Sequence, residues 1–357
     1  ELVERDKEKL ARTLSDETGK PITEARAEIG NIPISFKGFS ERAKHLYDEV
    51  IPAGLEPGQD NHVLITRREP LGVAVIPFNF PCDLFDQKVA PALLTGNSVI
   101  VKPSTDNPLT LCMLTALLGE AGIPAGVAQI VTGRGSVVGH ELCSNPDVDL
   151  VTLTGSTAVG IETAEVCAKT LTHTALELGG NDAFIVMEDG DVDLATDELI
   201  WGRMYNTGQV CCASKRFLIH KSRVEEFTTK AIEKISALKK GMPADDDTQI
   251  GCLISEKAAI EVERQVNLTV EQGGKILLGG KRNGAFYEPT VIGDVPSTAD
   301  VAKDMEIFGP VVPIISFETE EEAIRIANDS MFGLCGCVFS ENQKTAARVA
   351  CALECGG

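Results

Sequence analysis

The sequence lacks the features that mark several broad classes of protein. In its 357 residues no stretch approaches the roughly 20 consecutive apolar residues that a membrane-spanning helix needs. Its 33 Lys and Arg residues are outnumbered by 53 Asp and Glu residues, which gives a formal net charge of −20. Because binding to nucleic acid or to an anionic membrane surface needs clustered positive charge, this balance argues against both kinds of partner.

Signatures of metal sites and disulfide frameworks are also missing. The eleven cysteines include no CxxC pair, and the five histidines do not have the spacing of a zinc site. An odd number of scattered cysteines is typical of free thiols in a reducing compartment, so we expect a cytoplasmic protein. The opening stretch, ELVERDKEKL, is charged and helix-like and does not resemble a signal peptide. Because the chain starts without Met and stops at ALECGG, we expect a fragment that lacks a C-terminal segment.

The first half of the chain has a repeating strand–helix pattern. Residues 1–50 have helical spacing, which Gly-Lys-Pro at 19–21 interrupts. After residue 70, short apolar runs alternate with helical segments of ten or more residues. Such an alternation predicts an α/β fold with a parallel sheet covered on both faces, in which ligands bind at the carboxyl ends of the strands. The runs are GVAVIPF, SVIVK, AQIVT and DLVTLT.

A second series of apolar runs begins near residue 180 and predicts a second α/β domain. A length of 357 residues exceeds the usual size of a single core, which supports more than one domain. We place the boundary at Leu-Gly-Gly, residues 178–180. Residues 1–50 and 70–179 would form a doubly wound, Rossmann-like cofactor domain, and residues 180–357 a catalytic domain. Residues 51–69, with the apolar run VLITR, would form a small separate strand segment.

Two strand ends are candidates for binding a phosphate. In LTGSTAVG (153–160) a strand ends in a small-residue turn and a helix begins, so that backbone N–H groups and the Ser156 hydroxyl could face a pyrophosphate. Lys102 ends the strand in VIVKPS and could bind a ribose or a phosphate of the same nucleotide. The glycines of GRGSVVG (133–139) do not have the spacing of the dinucleotide fingerprint, so we interpret that stretch as a helix-capping turn.

Four segments in a fixed order favour one family. They are PFNFP (77–81), ELGGN (177–181), GQVC (208–211) and EIFGP (306–310). In this order and at these separations they resemble the aldehyde dehydrogenase superfamily, with a general resemblance to its succinate-semialdehyde dehydrogenase branch. The resemblance covers nearly the whole chain and implies NAD(P)-dependent oxidation of a small aldehyde to a carboxylic acid. It also implies a homodimer or homotetramer, in which VLITR would be a strand of a sheet shared between subunits.

The resemblance implies a role for each candidate catalytic residue. Cys211 would attack the aldehyde as a thiolate. Asn79 would help to bind the oxyanion, a contribution of about 3 kcal/mol in a dry site. Glu177, facing a desolvated pocket, would activate the water that hydrolyses the thioester. Lys88 matches a lysine associated with proton relay, and Cys212 is interpreted as a small buried packing residue.

The resemblance also implies a set of cofactor-binding residues. Glu306 and Phe308 match residues that hold the nicotinamide ribose and ring, while Lys102, Gly155 and Ser156 match contacts to the adenosine side. The complete candidate set is Pro77, Phe78, Lys102, Ser104, Thr105, Gly155, Ser156, Gly160, Leu178, Glu306 and Phe308. In many NAD-preferring relatives a Glu stands three residues after the strand-end lysine, whereas this chain has Thr105. A neutral hydroxyl does not repel a 2′-phosphate, so we predict a preference for NADP over NAD.

The substrate and three alternative functions stay open. Succinate-semialdehyde dehydrogenases hold the distal carboxylate with two arginines, and the matching positions here are Gln87 and Tyr205, which favours a neutral or hydroxylated aldehyde. Arg203 could substitute for one of those arginines. A CoA-acylating enzyme is disfavoured because such relatives generally lack the glutamate of ELGG. A non-catalytic protein that keeps the fold, or a nucleotide-binding regulator, would not need Cys211.

Overall fold

The computed structural model describes residues 1–52, 57–58, 60–61, 63–66, 73–75 and 77–357, and the chain divides into two structural units. Unit 1 consists of Glu1–Leu10 and Glu28–Glu177, and unit 2 consists of Ala11–Ala27 and Leu178–Gly357. Ala11–Ala27, which the sequence pattern placed in the cofactor domain, therefore pack with unit 2. The functional label of each domain stays a prediction.

Unit 1 contains a five-stranded parallel sheet, of which the apolar runs predicted four strands; the fifth, β7, was not predicted. Its strands are β3 (Val73–Val75), β4 (Val99–Lys102), β5 (Ala128–Ile130), β6 (Leu150–Thr154) and β7 (His173–Glu177), in the order β5-β4-β3-β6-β7. The registers of all four strand pairs are parallel. The chain order reverses at β3, so the carboxyl ends of β3, β4 and β6 flank a topological switch point, where open α/β sheets bind ligands.

Three helices precede the strands of the first half of the chain, and four more follow strands of the unit 1 sheet. Their bounds are α1 (Leu2–Arg5), α2 (Lys7–Thr18), α3 (Ile22–Ala43), α4 (Pro81–Leu94), α5 (Leu109–Glu120), α6 (His140–Ser144) and α7 (Thr157–Cys167). Helices α2 and α3 are separated by the predicted Gly-Lys-Pro break and continue across the unit boundary along the chain. Pro81, the first residue of α4, has no backbone N–H group and therefore needs no hydrogen-bond acceptor. The N–H of the next residue, Cys82, donates to the Glu28 carboxylate at 2.8 Å. This arrangement fixes the stretch that carries Asn79.

The segment predicted to lie outside both domains contains a short antiparallel pair, β1 (Val50–Ile51) with β2 (Leu64–Ile65). Strand β2 is shorter than the predicted VLITR strand, whose last residue, Arg67, lies outside the described residues. The apolar side chains of Val50, Val63 and Ile65 are 65–73% exposed. The predicted role of residues 51–69 in an oligomer stays a prediction.

Unit 2 is built on a six-stranded, mostly parallel sheet. Its strands are β8 (Asp182–Val186), β9 (Ser214–His220), β10 (Lys275–Leu278), β13 (Thr290–Gly293), β14 (Val311–Phe317) and β15 (Gly336–Phe339), in the order β10-β13-β14-β9-β8-β15. Only β10 pairs antiparallel with its neighbour in this sheet. A separate hairpin joins β11 (Arg282–Asn283) to β12 (Phe286–Tyr287). Side chains that alternate along each central strand enter two different hydrophobic clusters, so both faces are covered, as predicted.

Unit 2 contains the helices α8 (Val192–Leu199), α9 (Val224–Ser236), α10 (Glu256–Glu271), α11 (Glu320–Asn328) and α12 (Gln343–Cys351). All of them except α9 begin after a residue whose side chain accepts a hydrogen bond from a backbone N–H of the first turn. At the start of α8, for example, the side chain of Asp191 accepts from the Leu194 N–H at 3.0 Å. Within the described ranges, no helix combines the length and the apolar character needed to cross a membrane.

Candidate active site

The stretch just before Cys211 has an unusual backbone. After α8 the chain passes through a π-helical turn (Ile200–Met204) and a short 3₁₀ segment (Tyr205–Gly208). Asn206 and Thr207 have φ angles of 50° and 54°, and Gly208 follows at 77°. A β-branched residue in this left-handed region is strained, at a cost of about 1–3 kcal/mol, and such residues occur mostly at functional sites. The sequence NTG therefore forms a left-handed turn that delivers the chain to Cys211.

Hydrogen bonds from distant parts of unit 2 hold this turn. The Asn206 N–H donates to the Glu24 carboxylate at 2.7 Å, and the Thr207 hydroxyl accepts from the Gly251 N–H at 3.2 Å. The Gln209 side chain accepts from the Ile254 N–H at 2.9 Å. Because these partners belong to two segments that are distant from the turn in sequence, the turn is fixed by tertiary structure and not by its own sequence.

The two glycines of the ELGGN segment make room for the residues around Cys211. A Cβ added at Gly180 would lie 2.6 Å from the Cys211 carbonyl oxygen and 2.8 Å from Asp182 Oδ1. One added at Gly179 would lie 2.5 Å from Glu306 Oε2. These positions therefore require glycine because the Cys211 carbonyl and the Glu306 carboxylate approach the backbone closely.

A buried lysine joins Cys211 to Glu306. Lys215 is 1% exposed, and its Nζ donates to the Cys211 carbonyl oxygen at 2.5 Å and lies 3.1 Å from Glu306 Oε1. The same Nζ is 5.8 Å from the centroid of the Phe308 ring. Burial lowers the pKa of Lys215, and the nearby charge of Glu306 opposes that shift. The structure thus brings together three predicted residues, Cys211, Glu306 and Phe308, around a fourth that the motifs did not identify.

The thiols of Cys211 and Cys212 form a coupled pair. The Cys211 thiol hydrogen-bonds to the Cys212 sulfur, which lowers the pKa of Cys212 to about 6 and raises that of Cys211. The positive charge of Lys215 favours the thiolate at both sulfurs. The pair therefore loses its first proton more easily than an ordinary cysteine, and the resulting charge belongs to both sulfurs. The interpretation of Cys212 as a buried packing residue was wrong, because Cys212 is exposed whereas Cys211 is half-buried.

Unit 1 carries the other candidate catalytic residues. Asn79 is 5% exposed and lies just before α4. The Lys88 Nζ donates to the Thr152 hydroxyl at 3.1 Å; burial lowers the pKa of Lys88, and the nearby charge of Glu177 opposes that shift. Glu177 ends β7 and is exposed, so the expected desolvated surroundings of its carboxylate are not found in this structure. Lys88 and Glu177 are close enough to interact electrostatically.

A cavity of about 350 Å³ opens at the carboxyl ends of β4 and β6 in unit 1, a size typical of sites for small molecules. Five predicted cofactor residues line it: Pro77, Lys102, Ser104, Gly155 and Ser156. The Ser156 hydroxyl also caps α7 by accepting from the Val159 N–H at 3.4 Å, and burial lowers the pKa of Lys102. A buried cation, two hydroxyls and a helix N-terminus form a donor set that fits the phosphates and ribose of a nucleotide.

The other predicted cofactor residues lie elsewhere. In unit 1, Thr105 is exposed, Gly160 is buried in α7, and Phe78 accepts a hydrogen bond through its carbonyl oxygen from Asn107 at 2.9 Å. None of these three lines the cavity. Leu178, Glu306 and Phe308 belong to unit 2.

Sequence reasoning missed part of the cavity wall. Gly135, Ser136 and Gly139 line it, although GRGSVVG was interpreted as a simple capping turn. The stretch forms a π-helical turn before α6, so its departure from the dinucleotide fingerprint did not exclude it from the cavity. The available signal was its position after a strand that neighbours β4. The remaining residues missed are His140, Cys143, Leu153, Thr154, Val159, Glu162, Thr163 and Val166.

Arg203 does not substitute for the arginines that hold a carboxylate in succinate-semialdehyde dehydrogenases. It is 1% exposed and donates to the backbone carbonyls of Val311 at 2.6 Å and Ile307 at 2.8 Å. Its guanidinium therefore has a structural role in unit 2, because it donates hydrogen bonds to backbone carbonyls there. Of the two matching positions, Gln87 is exposed on α4, and Tyr205 is half-buried with its ring 4.5 Å from that of Trp201.

Unit 1 thus contains a cavity whose lining fits a nucleotide, and unit 2 contains a coupled pair of cysteine thiols beside a buried lysine. The family model of the aldehyde dehydrogenase family matches residues 1–357. The chain therefore belongs to the aldehyde dehydrogenase family, and it is an oxidoreductase that acts on aldehydes with NAD(P).

Similar proteins come from several organisms. The chain is 39% identical to glutarate-semialdehyde dehydrogenase of Pseudomonas putida, over 100% of this chain and 74% of that protein. It is 37% identical to the NADP-dependent succinate-semialdehyde dehydrogenase of Escherichia coli, over 99% of this chain and 74% of that protein. Betaine aldehyde dehydrogenase from Staphylococcus aureus, solved in complex with NAD+, has a TM-score of 0.94 and 36% identity, over 99% of this chain and 71% of that one. These comparisons confirm the predicted family and α/β fold class.

Proposed function

We propose that the protein oxidises an aldehyde to a carboxylic acid through a thioester at Cys211. The thiolate attacks the carbonyl carbon, a C–S bond forms, and the carbonyl oxygen becomes an oxyanion. A bound nicotinamide would accept the hydride that leaves this carbon with its electron pair. Water then attacks the thioester, the C–S bond breaks, and the acid departs from the regenerated thiolate. The observation that carries this proposal is the strained turn that presents Cys211 beside Lys215 and Glu306.

Three residues of unit 1 would complete the reaction. The Asn79 amide and the Cys211 N–H would donate hydrogen bonds to the oxyanion, each worth about 3 kcal/mol in the transition state. Glu177 would take a proton from the attacking water. Lys88 would relay protons to and from Glu177, a role supported by their electrostatic interaction and by the lowered pKa of Lys88.

The nucleophile is tested by Cys211→Ala, with Cys212→Ala as the matched control one residue away. We expect Cys211→Ala to abolish aldehyde-dependent formation of NAD(P)H, while Cys212→Ala keeps turnover. Aldehyde oxidation at the wild-type rate by Cys211→Ala would refute the proposal. Product analysis with and without CoA distinguishes hydrolysis from CoA acylation, since only the hydrolytic reaction releases the free acid without CoA.

We propose that NADP is accepted and preferred over NAD. The cavity places Lys102 and Ser104 in its wall, and no carboxylate follows Lys102 in KPST that would repel a 2′-phosphate. The exposed hydroxyl of Thr105 replaces the glutamate of many NAD-preferring relatives. We expect Thr105→Glu to lower kcat/KM for NADP far more than for NAD. A large NAD preference of the wild-type protein would contradict the proposal.

The substrate is proposed to be a neutral or hydroxylated aldehyde. Lactaldehyde dehydrogenase of Methanococcus maripaludis is 36% identical to this chain, so hydroxylated aldehydes are among the substrates that relatives are named for. The guanidinium of Arg203, which was considered as a substitute for those arginines, instead donates to backbone carbonyls and is not available to hold a distal carboxylate. Steady-state kinetics with lactaldehyde, succinic semialdehyde and glutaric semialdehyde test this. A higher kcat/KM for either semialdehyde would refute it.

We further propose a cytoplasmic homodimer or homotetramer. The structure describes all eleven cysteines without a disulfide bond, which supports a reducing compartment. The exposed apolar residues Val50, Val63 and Ile65 on the β1–β2 segment would be covered by another subunit. Sedimentation of the protein should give a mass of two or four chains, and a monomer would argue against this assignment.

A further inference from the structure

Lys215 is enclosed to a degree that is rare for lysine. It is the second residue of β9 and is 1% exposed, whereas lysine side chains are almost never fully buried unless they are paired. In the sequence it stands in a basic pair, Lys215-Arg216, before an apolar run, which gives no sign of a buried charge.

The partners of Lys215 are the two elements on which the proposed reaction depends. One is the backbone carbonyl of the nucleophile, at 2.5 Å from Nζ. The other is the Glu306 carboxylate, at 3.1 Å. The Gly180 N–H approaches the same Glu306 oxygen at 3.4 Å, and the Gln265 side chain donates to the Glu306 backbone carbonyl at 3.0 Å. Glu306 is therefore held at both its side chain and its backbone.

We propose that Lys215 is a positioning residue, which ties the backbone of Cys211 to the carboxylate of Glu306 and keeps a positive charge beside the paired thiols. The inference rests on the proposed function, in which Cys211 is the nucleophile and Glu306 holds the cofactor. Lys215 itself touches neither the substrate nor the reacting sulfur. Its effect passes through the two residues that it joins.

The other charged groups around this cluster leave Lys215 as the principal cation near the thiols. Arg203 and Arg216 interact electrostatically with Asp182, and both guanidinium groups donate to backbone carbonyls. Burial raises the pKa of Asp182 to about 7, so its carboxylate charge changes in the same pH range as the thiols. The thiol of Cys335 also interacts with Cys212 and Asp182. An Asp182→Asn variant identifies any contribution of the carboxylate to the measured pH profile.

Three substitutions at Lys215 separate its charge from its hydrogen bonds. Lys215→Met removes both, Lys215→Gln removes the charge and keeps a donor, and Lys215→Arg keeps the charge. Lys303→Met is the matched control, because Lys303 also pairs with a carboxylate, Asp329, at 2.9 Å in the same unit. All variants are compared by circular dichroism and thermal unfolding before other measurements.

The first readout is the pH dependence of iodoacetamide alkylation at Cys211, followed by peptide mass spectrometry in cofactor-free protein. We expect both neutral variants to move the midpoint upward by about one pH unit, which slows alkylation about tenfold at pH values well below both midpoints. Lys215→Arg and Lys303→Met should keep the wild-type profile. A purely structural role would lower the unfolding temperature without moving this midpoint.

The second readout is the dissociation constant of NADP+. We expect both neutral variants to bind NADP+ up to about tenfold more weakly, because the Glu306 carboxylate has lost its fixed partner. A folded Lys215→Gln protein that keeps either readout at the wild-type value would overturn the inference. If Lys215→Met does not fold, Lys215→Gln still decides the question. Failure of the proposed function is recognised separately, by aldehyde oxidation that persists in Cys211→Ala.

Discussion

Replacing Gly180 by alanine should displace the nucleophile without touching it chemically. The added Cβ would lie 2.6 Å from the Cys211 carbonyl oxygen, 2.8 Å from Asp182 Oδ1 and 3.0 Å from Leu334 Cβ. Two of these neighbours, the carbonyl and the Leu334 Cβ, cannot rotate away as the end of a flexible side chain could. The Cys211 backbone must therefore move.

The size of the movement follows from the contact distances. An ordinary contact begins at 3.4 Å, so the carbonyl at 2.6 Å must retreat by about 0.8 Å. A misplacement of about 1 Å in an active site can cost about 100-fold in rate. We expect kcat/KM of Gly180→Ala to fall about 10- to 100-fold, which corresponds to about 1.4–2.7 kcal/mol of lost transition-state stabilisation.

The assay is aldehyde-dependent NADPH formation, with Gly190→Ala as the matched control. A Cβ at Gly190 would lie 2.7 Å from the Phe339 carbonyl oxygen, which is a similar clash in the same unit. None of the atoms close to this Cβ belongs to Cys211. Gly190→Ala should lose stability but keep kcat/KM per folded molecule. The reasoning is refuted if Gly180→Ala turns over like the wild type, or if both variants lose the same activity.

Two further predictions concern stability. Burial, with the nearby charge of Asp83, raises the pKa of Asp86 on α4 to about 8. The pKa of Asp86 in the folded protein is therefore higher than its pKa in the unfolded chain. Protonated Asp86 contributes to the free energy of unfolding in full below about pH 4, and this contribution is lost as the pH rises through about 8. Urea unfolding should therefore show wild type losing about 4–5 kcal/mol more than Asp86→Asn between pH 4 and pH 8, and parallel curves would contradict this. Glu24→Ala removes the acceptor of the Asn206 N–H and should lower the free energy of unfolding by about 1–3 kcal/mol. Glu24→Gln keeps an acceptor oxygen and should therefore lose less stability. Equal losses of the two variants in guanidinium titrations would exclude this hydrogen bond as the cause.

The four ordered segments were sufficient to identify the family, because each has a residue type that the chemistry or the close packing requires. Gly179 and Gly180 show this directly, since an added Cβ at either position meets Glu306 or Cys211. The roles of Cys211, Asn79, Glu177 and the cofactor residues stay predictions.

The sequence by itself determined the order of strands and helices, because apolar period and chain breakers act over a few residues. The Gly-Lys-Pro break separates α2 from α3, as predicted. The parallel sheets follow from the short apolar runs, which are typical of strands covered on both faces.

Only the tertiary structure decided which polar groups are buried and what they bind. Arg203 binds carbonyls of Val311 and Ile307, which lie about a hundred residues further along the chain. Lys215 is buried because Glu306 and the Cys211 carbonyl surround its ammonium, whereas Cys212, next to the nucleophile, is exposed. Burial and hydrogen-bond partners depend on segments that meet only after folding, so no local pattern in the sequence could have predicted them.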